Sequence, residues 1–274
     1  MIRSESQRAR SKSPESMDAW DLIFRGMWHF NHWSWENHRE SRELFRRAVV
    51  SDPSLAEGHI WLGRCINAIL YFGWSDDADA DLAEEAEASQ QAMRLSGADP
   101  YALYLLAGHC NAAGQPEQAI SAAQRAIDLS PSFALGHYML GASRMWAGRA
   151  AQAIEPLQRG LRLNPNDTQT FAWHQIVAMA HYLIGQHTRA FECAEEAVAS
   201  HPGSHYGLAI LACCLAELER SEEARRIVEK LHRMTSSAGT VDAITARFVD
   251  PRDRALINDG LRRAGWPDSV AMTR

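Results

Sequence analysis

Three stretches decide the fold when laid over one another: QPEQAISAAQRAIDLSP at 115–131, GRAAQAIEPLQRGLRLNP at 148–165 and GQHTRAFECAEEAVASHP at 185–202. Small residues recur in one column, Ala119, Ala153, Ala190 and Ala224, at intervals of 34, 37 and 34 residues. A second column, Ala126, Gly160, Ala197 and Leu231, keeps the same spacing, and Pro131, Pro165 and Pro202 form a third. Four units in register imply an internal repeat, because unrelated helical sequence would drift out of phase.

Outward from these stretches, each unit reads as two helices. The first carries a Leu-Gly or Leu-Ala pair, as at Leu62-Gly63, Leu140-Gly141 and Leu211-Ala212. Gly114, Gly148 and Gly185 then mark the point where the helix must stop and reverse. The second helix carries the small residues, and a proline beyond its end closes the unit. Small side chains are needed where the two helices cross closely, since a larger one would push them apart.

This pattern resembles the tetratricopeptide repeat, a helix-turn-helix unit of about 34 residues. The resemblance implies an all-α fold: a right-handed solenoid of about six helix pairs spanning 18–236, with a C-terminal two-helix cap. Unit one runs from Asp18 to Pro53 with Gly26, Phe45 and Ala48 in place and about three extra residues around Asn31–Asn37. Unit two, Ser54 to Pro100, keeps Leu62, Gly63 and Ala92, but its turn through Tyr71–Asp77 is about ten residues too long. Units three to six start near Pro100, Phe133, Phe171 and His205. Unit six has Glu219 in place of the turn glycine and Ser236 in place of the closing proline, as expected of a terminal repeat. Residues 237–274 form the cap and tail: Thr240 caps a short helix ending near Phe248, Asp250 and Pro251 start the last helix, and Gly265 and Pro267 end it. The expectation is that these helices cover the apolar face of the last repeat. Residues 1–17 lack periodicity and read as a flexible lead-in.

Three segments are more specific than a generic repeat: DAWDLIFRGMWHFN at 18–31, FGWSDD at 72–77 and FVDPRDRALINDGLRRAGWPD at 248–268. Together with the long second turn they resemble the C-terminal repeat region of certain bacterial class III adenylate/guanylate cyclases, and related regions that follow winged-helix DNA-binding domains. That resemblance implies a sensory or interaction module whose catalytic or DNA-binding partner domain precedes it. No segment with strand periodicity is present to hold cyclase metal-binding aspartates, so no catalytic residue is carried over.

The first helices of such a stack line its concave face, where partners are expected to bind. The register places Trp20, Met27 and Phe30 there in unit one, Arg64 and Asn67 in unit two, and Tyr101, Tyr104 and Asn111 in unit three. Tyr138, Met145 and Trp146 follow in unit four, Gln175, Met179 and Tyr182 in unit five, and Tyr206 in unit six. Amphipathic aromatics suit recognition because they bury area with few rotors and keep a polar handle. Some proteins of this class clamp a peptide's terminal carboxylate with lysines and asparagines. Lysine occurs only at Lys12 and Lys230, which argues against that clamp and leaves Arg64 as the cation that can meet an acidic group.

The rest of the sequence excludes more than it suggests. Net charge is −6, which argues against nucleic-acid partners, whose phosphates demand basic patches. No apolar run approaches the ~18 residues of a spanning helix, and the N-terminus lacks a secretory h-region, so the chain is expected to be cytoplasmic and not at a membrane. The five cysteines, Cys65, Cys110, Cys193, Cys213 and Cys214, lie in helical patterns without CxxC and read as buried core. Twelve histidines, including the His29/His32, His174/His181 and His201/His205 pairs, lack metal-ligand spacing. Phosphate-binding glycine loops and GxSxG are absent. The carboxylates at 76–87 read as a solvated helix start. The expectation is therefore a non-enzymatic module without metal or cofactor that binds a protein or peptide. The competing reading is self-association, with exposed aromatics marking a homodimer interface.

Overall fold

The computed structural model describes residues 18–234 and 244–267. The lead-in at 1–17, the repeat boundary at Ser236, the Thr240 cap and the tail beyond 267 lie outside the described residues. Among the described residues there are thirteen α-helices and no strand. In chain order they are α1 (Ala19–Phe30), α2 (Trp35–Ser51), α3 (Ala56–Tyr71), α4 (Ala78–Ser96), α5 (Pro100–Ala112), α6 (Pro116–Leu129), α7 (Ala134–Trp146), α8 (Ala150–Leu163), α9 (Thr170–Leu183), α10 (His187–Ser200), α11 (His205–Glu217), α12 (Ser221–Met234) and α13 (Pro251–Arg263).

Local chemistry sets the helix boundaries. Asp18, Ser34, Asp77, Asp99, Ser204 and Asp250 cap α1, α2, α4, α5, α11 and α13, each side chain accepting a backbone N–H of the first turn. Pro100 and Pro251 sit at helix starts, where a missing N–H costs nothing. Between α7 and α8 the chain reverses through Gly148 at φ 78°, a left-handed conformation that L side chains avoid. At the matching turn between α11 and α12 Glu219 adopts φ 59°, so the turn survives without its glycine. The long second unit resolves differently from a single overlong loop. α3 has 16 residues and α4 has 19, against 13 and 14 in α7 and α8, so lengthened helices absorb part of the surplus.

The chain divides into two compact units. The first comprises Met1–Ala113 with Arg125–Pro131, and the second Gly114–Gln124 with Ser132–Arg274. In the first, α1/α2 and α3/α4 pair around Leu22, Ile23, Phe30, Leu44, Phe45, Cys65 and Ile66, with Trp61 and Trp74 packed at the margin. A Cβ on Gly26 would lie 2.4 Å from the Phe45 ring, which is why that crossing needs a residue without a side chain.

In the second unit α7/α8, α9/α10 and α11/α12 pair in the expected register. Ala153, Ala190 and Ala224 are fully buried at the crossings. The C-terminal segment covers more than the last repeat. Val249 donates its N–H to the Trp146 carbonyl of α7 at 3.0 Å, and Arg247 lies over the Trp146 ring at 5.5 Å. α13 packs mainly on α11, where the Cys213 thiol points to the Ile257 carbonyl at 3.7 Å, and Gly260 lies against the Tyr182 hydroxyl of α9. The segment thus crosses the first helices of all three pairs, burying its own Ile244, Phe248, Ile257 and Leu261.

Candidate functional site

The fifteen face positions separate by unit. In the first unit Trp20 and Tyr101 are exposed, at 43% and 40%, and Asn67 and Tyr104 are half-buried. Met27, Phe30, Arg64 and Asn111 are buried. In the second unit Tyr138 is half-buried, its ring 4.9 Å from that of Trp173, and the other six are buried. Trp146 lies under Arg247 and Val249, and Tyr182 under Gly260. Arg247 also meets Tyr206, whose hydroxyl burial pushes to a higher pKa. Gln175 accepts a hydrogen bond from the buried Ser204 hydroxyl at 2.6 Å, and Met145 and Met179 are fully enclosed.

One cluster in the first unit has chemistry that its surroundings leave incomplete. Arg64, on α3, is only 7% exposed. Its guanidinium lies 4.2 Å from the Trp61 ring centre, 5.3 Å from Tyr104, 5.4 Å from Tyr101 and 5.5 Å from Phe30. Three helices, α1, α3 and α5, supply these rings. Cation–π attraction stabilises the flat faces of the cation. Its edge is another matter: among the described residues the buried Nε–H has no hydrogen-bond partner, and neither does the buried Nδ2 of Asn67, three residues further along the helix. The repeat register puts Arg64, Phe30, Tyr101 and Tyr104 on this face but misses Trp61. Its position three residues before Arg64, hence beside it on a helix, is the available signal.

The acidic run at 76–87 departs from a purely solvated helix start. Asp77 does cap α4, but Asp81 is 5% exposed and Glu85 fully buried. Arg42 binds both Asp81 and Glu84, and Arg46 chelates Glu84 at 2.6 and 2.7 Å. These arginines, with Trp35, Arg39, Trp74, Asp76 and Asp77, line a cleft of about 640 Å³ between α2 and the start of α4. Glu85 Oε2 meets His109 Nδ1 of α5 at 2.6 Å, and that hydrogen bond raises the histidine's pKa. In the second unit burial lowers His181 and His201, and takes His205 down to about 4 with His201 adding repulsion. Burial raises the thiol pKa of Cys65, Cys110, Cys213 and Cys214, and pushes Cys193 up to about 11, the opposite of nucleophile activation. Among the described residues no three His, Cys, Asp or Glu side chains form a metal-holding group, and no helix is long and apolar enough to cross a membrane.

The aromatic segment FGWSDD also finds its place. Phe72 and Trp74 stack at 5.0 Å, and Trp33 and the buried His38 join them at 5.4 Å and 5.0 Å. The cluster closes the loop between α3 and α4 over the end of the first pair.

Comparison with known proteins bears on the fold. A family model described as a tetratricopeptide repeat matches residues 112–168. No curated protein matches the chain in a sequence search. Among solved structures, the chain is similar to the hetero-tetramer Cut9-Hcn1 of the APC/C, with a TM-score of 0.68 at 15% identity over 96% of this chain and 45% of that one. It is also similar to a thermophilic TPR protein from Thermus thermophilus, with a TM-score of 0.56 at 18% identity over 72% of this chain and 98% of that one. The human IFIT1 dimer with m7Gppp-AAAA gives a TM-score of 0.71 at 15% identity, over 96% of this chain and 62% of that one. This chain therefore spans less than half of the first of these and under two thirds of the last. At such identities the likeness establishes the fold, an all-helical tetratricopeptide-type solenoid.

Proposed function

We propose that this chain is a non-enzymatic module that binds a protein or peptide on the first-helix face of its first unit, around Arg64. The observation that carries the reading is the contrast in what covers that face. In the second unit the chain's own residues 244–263 lie across α7, α9 and α11, so a polypeptide segment is the kind of object the face holds. In the first unit Tyr101 is exposed, and among the described residues the Arg64 Nε–H lacks a partner. The wider setting is the accessory region of a bacterial cyclase-like or winged-helix regulator. The three segments that carry that resemblance build α1, the aromatic loop after α3 and the segment that fills the second unit's face.

The test is selection of binders from a displayed random-peptide library, followed by methyl NMR on the full chain. Selected peptides are expected to shift resonances of α1, α3 and α5. Tyr101→Ala with Tyr104→Ala should abolish binding and leave the thermal melt nearly unchanged. Peptides that shift only the α2/α4 cleft, or that bind the double variant equally, would overturn the reading. A capped RNA oligonucleotide that outcompetes every peptide would do so too. For the setting, a cyclase or winged-helix domain in frame ahead of residue 1 is expected, and an unrelated frame removes that part.

A further inference from the structure

We infer that the Arg64 pocket is a carboxylate site, and that it takes an aspartate or glutamate side chain from the interior of a peptide segment. The inference rests on the first-helix face being the binding surface and adds the chemistry of what enters it. A guanidinium has five N–H donors set in a plane and no acceptor. The rings of Phe30, Trp61, Tyr101 and Tyr104 lie within 5.5 Å of its centre, but among the described residues its buried Nε–H has no hydrogen-bond partner. A cation more than nine-tenths buried without an anionic partner is costly, and a carboxylate in the plane of the fork removes that cost with two parallel hydrogen bonds. The Asn67 amide adds a neutral donor beside it.

The charge balance selects a carboxylate over a phosphate. One guanidinium neutralises one charge, whereas a phosphoryl group on a side chain carries about −1.5 to −2 at pH 7. The groups recorded against the Arg64 guanidinium among the described residues are aromatic rings, and the chain has no lysine between 13 and 229. The second unit selects a side chain over a chain terminus. The segment held there runs through the face and continues at both ends, and it carries Phe248, Val249, Asp250 and Pro251 in sequence. Asp250 lies beside Gly148 at the end of α7 with its carboxylate held by Arg252, so a segment with an acidic residue between apolar ones fits against this kind of face, and the aromatic walls of the Arg64 pocket offer apolar neighbours a surface to pack on.

Three capped probes and one ion test this on the full chain labelled with ¹⁵N. Acetyl-Phe-Val-Asp-Pro-amide carries only a side-chain carboxylate, acetyl-Phe-Val-Asn-Pro-amide carries none, and acetyl-Phe-Val-Ala carries only a free terminus. Inorganic phosphate is the fourth. The readout is the Arg64 Nε–H resonance, assigned by its disappearance in Arg64→Lys. The aspartate probe is expected to shift it saturably, with the asparagine probe, the free-terminus probe and phosphate each at least about tenfold weaker. Arg64→Lys keeps the charge but loses the planar fork, and should weaken the aspartate probe by about tenfold too. If the aspartate and asparagine probes shift α1, α3 and α5 amides equally, the carboxylate assignment fails while the face reading survives. Tighter binding of the free terminus or of phosphate overturns the assignment in favour of that anion. An Nε–H resonance that no probe moves also overturns it, and the library selection then decides the face reading separately. All four titrations use the unaltered chain, and the amide shifts of α1, α3 and α5 rank the probes even if Arg64→Lys misfolds.

Discussion

The first-helix faces of the two units are written in the same register and end in opposite states. In the second unit Trp146, Tyr182 and Tyr206 are covered by the chain's own C-terminal segment. In the first, Trp20 and Tyr101 meet solvent, and Arg64 is enclosed by rings with its Nε–H unanswered among the described residues. A repeat position therefore fixes where a side chain points but not what it meets. Of the aromatic residues that sequence reading assigns to one long groove, Trp146, Tyr182 and Tyr206 serve as core in one unit while Trp20 and Tyr101 stay exposed in the other.

The largest way to break this comparison is to lift the segment off the second unit. Phe248 is fully buried, and Phe248→Ala should cost about 3–5 kcal/mol in urea denaturation. Amide exchange in α7, α9 and α11 should accelerate while that in α1 and α3 stays as it was. Equal acceleration in both units would show that the segment is not specific to the second. A smaller perturbation acts at the contact itself. A Cβ on Gly260 would stand 2.2 Å from the Tyr182 hydroxyl oxygen, so Gly260→Ala should cost about 1–3 kcal/mol. Adding Tyr182→Phe should recover part of that loss. A double variant no more stable than Gly260→Ala alone would place the obstruction elsewhere, Cys213 being the next neighbour at 3.0 Å.

Glu219→Gly separates turn strain from either face. It relieves a left-handed φ of 59°, less the entropy that glycine adds to the unfolded chain, and should raise stability by about 0.5–1 kcal/mol. A loss in the melt would mean that the Glu219 side chain contributes more than its backbone costs.

Near neutrality the smallest effects are those of pH, and they run in opposite directions. The Glu85 hydrogen bond raises the folded pKa of His109 in the first unit. Its contribution is complete below the unfolded value of about 6.5 and is lost as pH rises through the raised one. Burial lowers His205 in the second unit to about 4. Its unfolded form takes up a proton that the folded form refuses, so stability is lost as pH falls from about 6.5 toward 4. Hydrogen exchange followed by unit should show α4 and α5 loosening at higher pH and α11 at lower pH. The first trend should vanish in Glu85→Gln, and the second should weaken in His205→Phe, since burial lowers His181 and His201 in the same unit as well. A common direction in both units would contradict the assignment.

Much of the fold was legible because its determinants are local. Ala153 and Gly160 at fixed intervals, Gly148 at a reversal, Asp99-Pro100 and Asp250-Pro251 at helix starts each act within a few residues, and each sits where its local signal puts it. The site was legible only as positions. Arg64, Tyr101 and Tyr104 share a face by register, but Trp61 completes the enclosure, and Glu85, read as part of a solvated run, is buried against His109. A carboxylate's fate depends on whether a histidine or arginine from another helix reaches it, and helical periodicity carries no information about that.

By itself the sequence determined the helices, their caps, the turn positions and the phase of the repeat, because capping, glycine conformation and small-residue crossings are short-range physics. Only the tertiary structure decided that residues 244–263 cover the first helices of the second unit and that the Arg64 Nε–H is left without a partner among the described residues. Those outcomes depend on segments far apart in the chain burying one another's apolar surface, and burial between distant segments leaves no fixed spacing to read.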